Sequence, residues 1–464
     1  MNLDDVQKNK PPARHIEDAR NRIRQQLIDS AERMVVVDDD PTGPQAVHGV
    51  RVYMDWSVNT LQKAFRTGGP VFFICTNSRG MNPADMRKVT LEVGRNINEA
   101  ARLENVNVLL TSRSDSTLRG HFPGEVQALL GGTGLTPDGL IFAPALFEAG
   151  RYTIDDTQYA EIESDLLPVH LTEFSRDPSF PYRNSNLKMW MEEKTGGITR
   201  AGDVISIPLE TIREGGLGAV TRLLMQVSGL TPVIVNAAGY DDLDIVSLGI
   251  ADAEKAGKSF IYRCSASFIK SRGGFTDKPL LTYRELKPGQ APGLIIAGSY
   301  VEKTTRQLNK LFDSRLAEGI ELNTDRVTDS RTAGNEIKRV SDYVNNLLRE
   351  GRTAAIYTTR AVNTTDVSFQ ETGKTVMSAL CRIVESVTGK PGFIIAKGGI
   401  TSIEIARTAL RSSEAFSIGQ ILPGVPVWRL PGSLITPDIP YVVFPGNVGN
   451  DDALVKAVRV LTGR

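Results

Sequence analysis

The chain has 464 residues, 41% of them apolar and 23% charged, a balance that excludes a disordered chain and suits two or three globular domains with sizeable cores. Its 54 basic residues offset its 54 acidic ones, and no Lys/Arg-rich block interleaved with aromatics occurs, so the footprint of a nucleic-acid binder is missing. A charged N-terminal stretch without an apolar core, and no apolar run of membrane-spanning length, point to a cytoplasmic location with no membrane partner.

Ile16, Ala19, Ile23, Leu27, Ile28 and Ala31 recur at helical spacing and predict a helical extension over residues 1–33. Strand-length apolar runs follow at 34–37, 71–75, 106–110, 139–142, 204–207, 232–235 and 259–262, with helical patterns between most of them, such as 84–103 and 241–256. Residues 143–200, with Pro144, Pro168, Pro178 and Pro181, interrupt that regularity and read as a long excursion or lid. A Pro/Gly-rich stretch at 276–293 reads as an interdomain crossing. Beyond it the alternation resumes, with strands at 294–297, 354–357, 393–396 and 441–444 and helices at 301–318, 333–350, 371–388 and 402–411. The expected fold class is α/β: two Rossmann-like domains with mostly parallel sheets and an active-site cleft between them. The first is expected over 34–285 and the second over 286–464. Cys75, Cys264 and Cys381 are far apart in apolar stretches and read as reduced, buried thiols.

Ligands of open parallel sheets sit beyond the carboxyl ends of the strands, so polar residues directly after apolar runs are the ones to collect. Three ends stand out: Asp38-Asp39-Asp40-Pro41-Thr42-Gly43, Thr76-Asn77-Ser78-Arg79-Gly80, and Thr111 through Gly120, which contains Arg113, Ser114, Asp115 and Ser116. Three adjacent carboxylates repel one another at neutral pH unless a cation or a ligand proton is near. The competing reading is that Asp38 ends its strand while Asp40 and Thr42 cap a turn. Guanidinium groups that grip a carboxylate, with Asp and Ser for hydroxyls, suit a small polyhydroxylated acid.

The second domain offers a different chemistry. Gly298-Ser299, Lys397-Gly398-Gly399-Ile400-Thr401 and Pro445-Gly446-Asn447 each join an apolar strand to a following helix, a geometry that presents free backbone N–H groups to phosphate. The competing reading for the second turn is a capping box between Thr401 and Glu404. No P-loop or protein-kinase signature occurs, and four scattered histidines argue against a His-rich metal site or a Ser-His-Asp hydrolase.

Together, Asp-Asp-Asp-Pro-Thr-Gly at 38–43, Thr-Asn-Ser-Arg at 76–79, Ser-Asp-Ser-Thr-Leu-Arg-Gly at 114–120, Gly-Ser at 298–299, Lys-Gly-Gly-Ile-Thr at 397–401 and Pro-Gly-Asn at 445–447 resemble the four-carbon acid sugar kinase family. The resemblance covers nearly the whole chain. It implies ATP-dependent phosphorylation, with Mg2+, of threonate, erythronate, 3-oxo-tetronate or a related branched acid, and a possible homodimer. It also implies substrate contacts at Asp40, Arg79, Arg113, Ser114, Asp115 and Ser116, and ATP contacts at Ser299, Gly398, Gly399, Ile400, Thr401 and Gly446. Many members carry Lys where this chain has Arg113, and an acid where it has Ile400. In that reading Arg79 holds the substrate carboxylate, Asp40 or Asp115 orients or deprotonates the hydroxyl, Arg113 and Lys397 offset phosphoryl charge, and Asp38 is structural. The rival enzyme is a haloacid-dehalogenase-type phosphatase, whose Asp-x-Asp-x-Thr pattern Asp38 to Thr42 satisfies. A non-catalytic sugar-acid sensor is the third reading.

Overall fold

The computed structural model describes residues 2–162, 165–298, 301–359, 366–433 and 439–464. It divides into two compact units, Met1–Asp277 and Lys278–Arg464. The first unit carries β1 (Arg33–Asp38), β2 (Val50–Tyr53), β3 (Val71–Cys75), β4 (Val108–Arg113), β5 (Gly139–Ala143), β6 (Arg151–Ile154), β7 (Thr157–Ile162), β8 (Asp165–Pro168), β9 (Ile205–Ile207), β10 (Thr231–Val235) and β11 (Phe260–Cys264). Its main sheet runs β2-β3-β1-β4-β11-β5-β10-β9, every pair parallel. The strand order reverses at β1, which lies between β3 and β4, and this makes it a topological switch point. Asp38 is in register with Cys75 on one side and Arg113 on the other, so the loops after these three strands leave the sheet at one level.

Apolar residues buried on both faces explain the strands; on one face Val35, Ile74, Leu110 and Ile261 join Ile97 and Leu129 from the covering helices in one core. The helix Pro83–Glu104 starts where Asn82 accepts from the backbone N–H groups of Ala84 and Asp85 at 3.0 and 2.9 Å, with Pro at the first helical position, and ends at Asn105 in the left-handed region. The glycine-rich run 131–134 lies largely inside the helix Gly124–Thr133. A Cβ on Gly132 would stand 2.4 Å from the Leu91 carbonyl oxygen, and one on Gly94 2.7 Å from that of Leu129. The glycines are there so that two helix backbones can touch.

The excursion is folded into the unit. β6, β7 and β8 form an antiparallel sheet, and Asn186 caps the helix Leu187–Lys194. That helix buries Trp190 completely, stacked on Phe142 and Phe122. At the N-terminus, the helix Ala19–Asp29 packs Ala19 and Ile23 against Leu248 of the same unit.

The second unit contains β12 (Leu294–Ala297), β13 (Glu318–Leu322), β14 (Ala354–Thr358), β15 (Ile394–Lys397), β16 (Glu414–Leu422), β17 (Val425–Arg429) and β18 (Tyr441–Phe444). They run β13-β14-β12-β15-β18-β17-β16, parallel as far as β18 and antiparallel beyond. β12 lies between β14 and β15, a second switch point, and Ala297, Lys397 and Phe444 are in register at the carboxyl ends. Among the described strands, the sequence reading missed β2, β13, β16 and β17 as well as β6, β7 and β8 of the excursion. The expected helix 301–318 stops at Asp313, Arg315 turns into the left-handed region, and the acidic Glu318 and Glu321 then alternate along an edge strand. β16 alternates buried and half-buried residues too polar to register as an apolar run.

Candidate active site

The three acids after β1 occupy distinct places. Asp38 is inside the strand end and buried; its Oδ1 accepts from the Asp40 N–H at 3.1 Å and from Arg113 Nη1 at 3.1 Å. A Cβ on Gly43 would overlap Asp38 Oδ2, at 1.3 Å, so only glycine lets the turn fold over that carboxylate. Among the described residues Asp38 Oδ2 has no hydrogen-bond partner. Burial lifts the Asp38 carboxyl, and the Arg113 charge only partly opposes this while Asp39 and Asp40 add to it; the result is about 7. A covered carboxyl of this kind is no exposed nucleophile, and nothing favours the phosphatase reading. Its would-be late acidic loop sits in the second unit, where Asp451 pairs with Arg306 at 3.0 Å.

Asp39 and Asp40 converge on Arg79. The guanidinium donates through Nε and Nη2 to both oxygens of Asp39, at 3.1 and 2.5 Å, and through Nη1 to Asp40 at 3.2 Å. The same Nη1 stands 3.9 Å from Asp115 Oδ1, on the loop after β4. Arg79 thus bridges the two acids singled out as catalytic. Asp40 also closes an Asx turn, its Oδ1 accepting from the Thr42 N–H at 2.8 Å and from the Thr42 hydroxyl at 2.5 Å, so the turn-capping reading describes part of its role. Burial acts to lift Asp40, yet Arg79, Arg113 and Thr42 outweigh it and hold the carboxyl below its ordinary value. Asp115 follows the same logic. Burial is overcome by Arg119 and Arg79 and by hydrogen bonds from Arg119 and the Thr117 hydroxyl, which hold it well below the carboxylate range. Both acids are therefore ionised acceptors, better suited to orienting a hydroxyl than to removing its proton.

The other expected contacts sit deeper. Arg113 is 3% exposed, and its Nη1 donates to Asp38 at 3.1 Å. Ser114 donates to Asp39 at 3.1 Å, and the buried Ser116 holds its loop through its carbonyl. Residues that sequence reasoning passed over make up the support. Gln158, fully buried on β7, donates to the Ser116 carbonyl at 2.8 Å, and the Tyr182 hydroxyl donates to the Thr117 carbonyl at 2.8 Å. Glu125 accepts from Arg263 and, at 3.2 Å, from Ser112, with the Arg263 guanidinium over the Phe122 ring. The one signal for Arg263 in the sequence is a charge inside the apolar strand Phe-Ile-Tyr-Arg-Cys.

In the second unit the strand ends present backbone. Gly398, at φ +115°, donates its N–H to the Phe444 carbonyl at 2.8 Å and precedes the helix Gly399–Glu404, which continues as a π-turn over Ile405–Ala409. The capping box expected between Thr401 and Glu404 is not formed: Thr401 is buried inside the helix and Glu404 pairs with Arg407. Gly298 abuts Thr401, for a Cβ there would stand 2.5 Å from Oγ1, and this close approach joins two of the glycine turns. Lys397 is buried, its Nζ 3.1 Å from the Pro445 carbonyl and over the Phe444 ring. Gly446 accepts from Thr304, Gly399 opens the helix, and Ile400 is exposed beside it. Ser299 lies outside the described residues. Among the described residues no three His, Cys, Asp or Glu side chains are grouped to hold a metal ion.

Each unit is an open α/β sheet with its candidate site at a switch point, charged in the first unit and glycine-lined in the second. Residues 34–272 match the sugar-binding N-terminal domain family and residues 294–454 the nucleotide-binding C-terminal domain family. The chain belongs to the four-carbon acid sugar kinase family, which these paired domains define. It is 27% identical over 453 residues to a D-erythronate kinase of Heliobacterium modesticaldum and 24% identical over 447 residues to a D-threonate kinase of Salmonella typhimurium; each alignment covers 92% of this chain and 97% of the relative. Among solved structures, a putative tRNA synthase from Salmonella typhimurium LT2 shares the fold at a TM-score of 0.64 and 16% identity, covering 92% of this chain and 98% of that one. A Haemophilus influenzae protein shares it at 0.61 and 17%, covering 92% and 100%. No described helix is long and apolar enough to cross a membrane.

Proposed function

We propose that the protein transfers the γ-phosphoryl group of ATP to a hydroxyl of a four-carbon sugar acid, threonate, erythronate or 3-oxo-tetronate being the leading substrates. The observation that carries this reading is the Asp40–Arg79–Asp115 bridge at the first switch point, two ionised acceptors held on one guanidinium at 3.2 and 3.9 Å. Phosphoryl transfer passes through a loose transition state in which positioning and charge neutralisation matter more than a strong base, and two low-pKa carboxylates suit that task. Asp40 and Asp115 accept hydroxyl hydrogens of the acid; Arg79 keeps Asp40 ionised, and Arg119 with Arg79 keeps Asp115 so. Gly398, Gly399, Ile400, Thr401 and Gly446, with Ser299, bind the nucleotide, and the Lys397 charge offsets that of the phosphates. Mg2+ accompanies the nucleotide phosphates, and no step here is assigned to it.

A coupled assay of ATP consumption across a panel of four-carbon acids tests the reading. ADP is expected to form only with a sugar acid present. Acid-independent hydrolysis, or silence with every acid, rejects it.

A further inference from the structure

Five guanidinium groups stand around the described strand ends of the first unit, and four of them are committed to carboxylates. Arg79 serves Asp39 and Asp40, Arg113 serves Asp38, Arg119 serves Asp115 at 2.7 Å and Asp177 at 3.4 Å, and Arg263 serves Glu125. Arg151, the first residue of β6, is different. Its Nη1 donates to the carbonyls of Ala149, Gly150 and Glu161, at 2.6, 3.3 and 3.2 Å, and among the described residues no carboxylate lies within ion-pair distance of it. Among the described residues its Nε is buried without a partner and its Nη2 makes no hydrogen bond, so the Nε–Nη2 edge, the one that carboxylates take with two parallel bonds, is unused there.

Arg151 also stands next to the proposed chemistry. Its guanidinium lies 5.4 Å from the centre of the Phe174 ring, and that of Arg119, which grips Asp115, lies 5.2 Å from the same ring. Phe174 is nearly buried and ties both cations to one aromatic surface. Burial lowers the Arg151 pKa, and the Asp115 and Glu161 charges, which act on it without an ion pair among the described residues, only partly offset that; a partly desolvated positive charge hydrogen-bonded to neutral carbonyls is costly to keep, and an anionic ligand reduces that cost. Arg79, by contrast, already spends its Nε–Nη2 edge on Asp39 and one Nη1 donor on Asp40, so that side-on edge is not open to a substrate carboxylate.

We propose that Arg151 receives the carboxylate of the sugar acid, with Phe174 and Arg119 beside it, so that the excursion carrying β6 selects acids over neutral polyols. This rests on the sugar-acid reading of the site and independently of phosphoryl transfer, because the test reads binding in the absence of ATP. Titration calorimetry with threonate and erythronate compares the wild type with Arg151→Gln, which keeps donors for the carbonyls but removes the charge, and with Arg151→Lys, which keeps the charge. Arg151→Gln is expected to weaken acid binding by roughly tenfold to a hundredfold, the size of one lost charge-assisted pair, and Arg151→Lys by only a few-fold. Acid affinity within about twofold of wild type in Arg151→Gln overturns the proposal, as do equal losses in both variants or a wild type that binds neither acid. Phenylglyoxal labelling of the wild type, read by peptide mass spectrometry, needs no substitution: the acid is expected to protect Arg151, and unprotected labelling at saturating acid also overturns it. If acids bind but ATP is never consumed, the kinase reading falls while this one stands.

Discussion

The two units place their candidate sites at the same kind of location, level strand ends flanking a switch point, yet furnish them in opposite ways. Around β1, β3 and β4 the loops are crowded with paired charges; around β12, β15 and β18 the described strand ends lead into glycine turns beside the buried Lys397. The difference teaches what each ligand demands. A small polyhydroxylated acid has to be recognised group by group, which takes side chains of fixed orientation. A phosphate can be met by bare backbone N–H groups, which takes the absence of side chains.

If that division is right, substitutions in the two units must separate in their kinetics. The largest effect is expected in the first. Asp115→Asn and Asp40→Asn keep the shape but lose the ionised acceptor, and each should lower kcat by about a hundredfold or more while leaving the KM for ATP near its wild-type value. Steady-state assays varying each substrate decide it, and wild-type kcat in both variants would end the carboxylate assignment.

Next in size is the support beneath the first site. Arg263→Met strands the buried Glu125 carboxylate, a loss of about 3 to 5 kcal/mol in unfolding free energy, whereas Arg263→Met combined with Glu125→Leu removes both charges and should recover part of it. Urea unfolding of the two proteins checks this. A double variant as unstable as the single one would mean that packing around Phe122 and Phe142, and not charge, is what Arg263 supplies.

In the second unit, Gly298→Val forces side-chain atoms onto Thr401 and into the glycine turn. The KM for ATP is expected to rise roughly tenfold, with sugar-acid affinity unchanged. Calorimetry with each ligand alone measures both; weakened acid binding would break the division of labour between the units.

The contrast also explains what the amino-acid pattern disclosed. Parallel strands buried on both faces appear as uninterrupted apolar runs, so β1, β3, β12 and β18 and the polar residues after them were legible. The edge and antiparallel strands, β13 and β16, alternate polar and apolar residues and were not. Which guanidinium meets which carboxylate is set by register and by segments far along the chain. Arg113 was legible as a charge after an apolar run, but its pairing with Asp38, its neighbour in register on β1, was not. Gln158 and Tyr182 belong to a stretch whose prolines hid its two short hairpins, and no local signal links them to Ser116 and Thr117.

The smallest effect concerns Asp38, and it separates a structural acid from its two ionised neighbours. Its folded-state pKa of about 7 lies above the ordinary carboxylate value of about 3.9, so between these limits the folded chain binds the extra proton. Stability contributed by that proton is complete below about pH 4 and is lost as pH rises toward 7, by at most about 1.4 kcal/mol per pH unit. Asp40 and Asp115, both depressed, have the opposite sign: what they contribute is present above the ordinary carboxylate value and is lost only in more acidic solution. Over the range from about pH 5 to 8 only Asp38 among these acids changes its contribution. Asp38→Asn keeps an oxygen for Arg113 and cannot titrate, so its melting temperature should fall less steeply with pH than that of the wild type. Other buried acids with raised values, such as Glu254, act equally in both proteins and cancel in the comparison. Parallel curves would mean that Asp38 is ionised throughout, and the charge beneath the turn would then be neutralised by Arg113 alone.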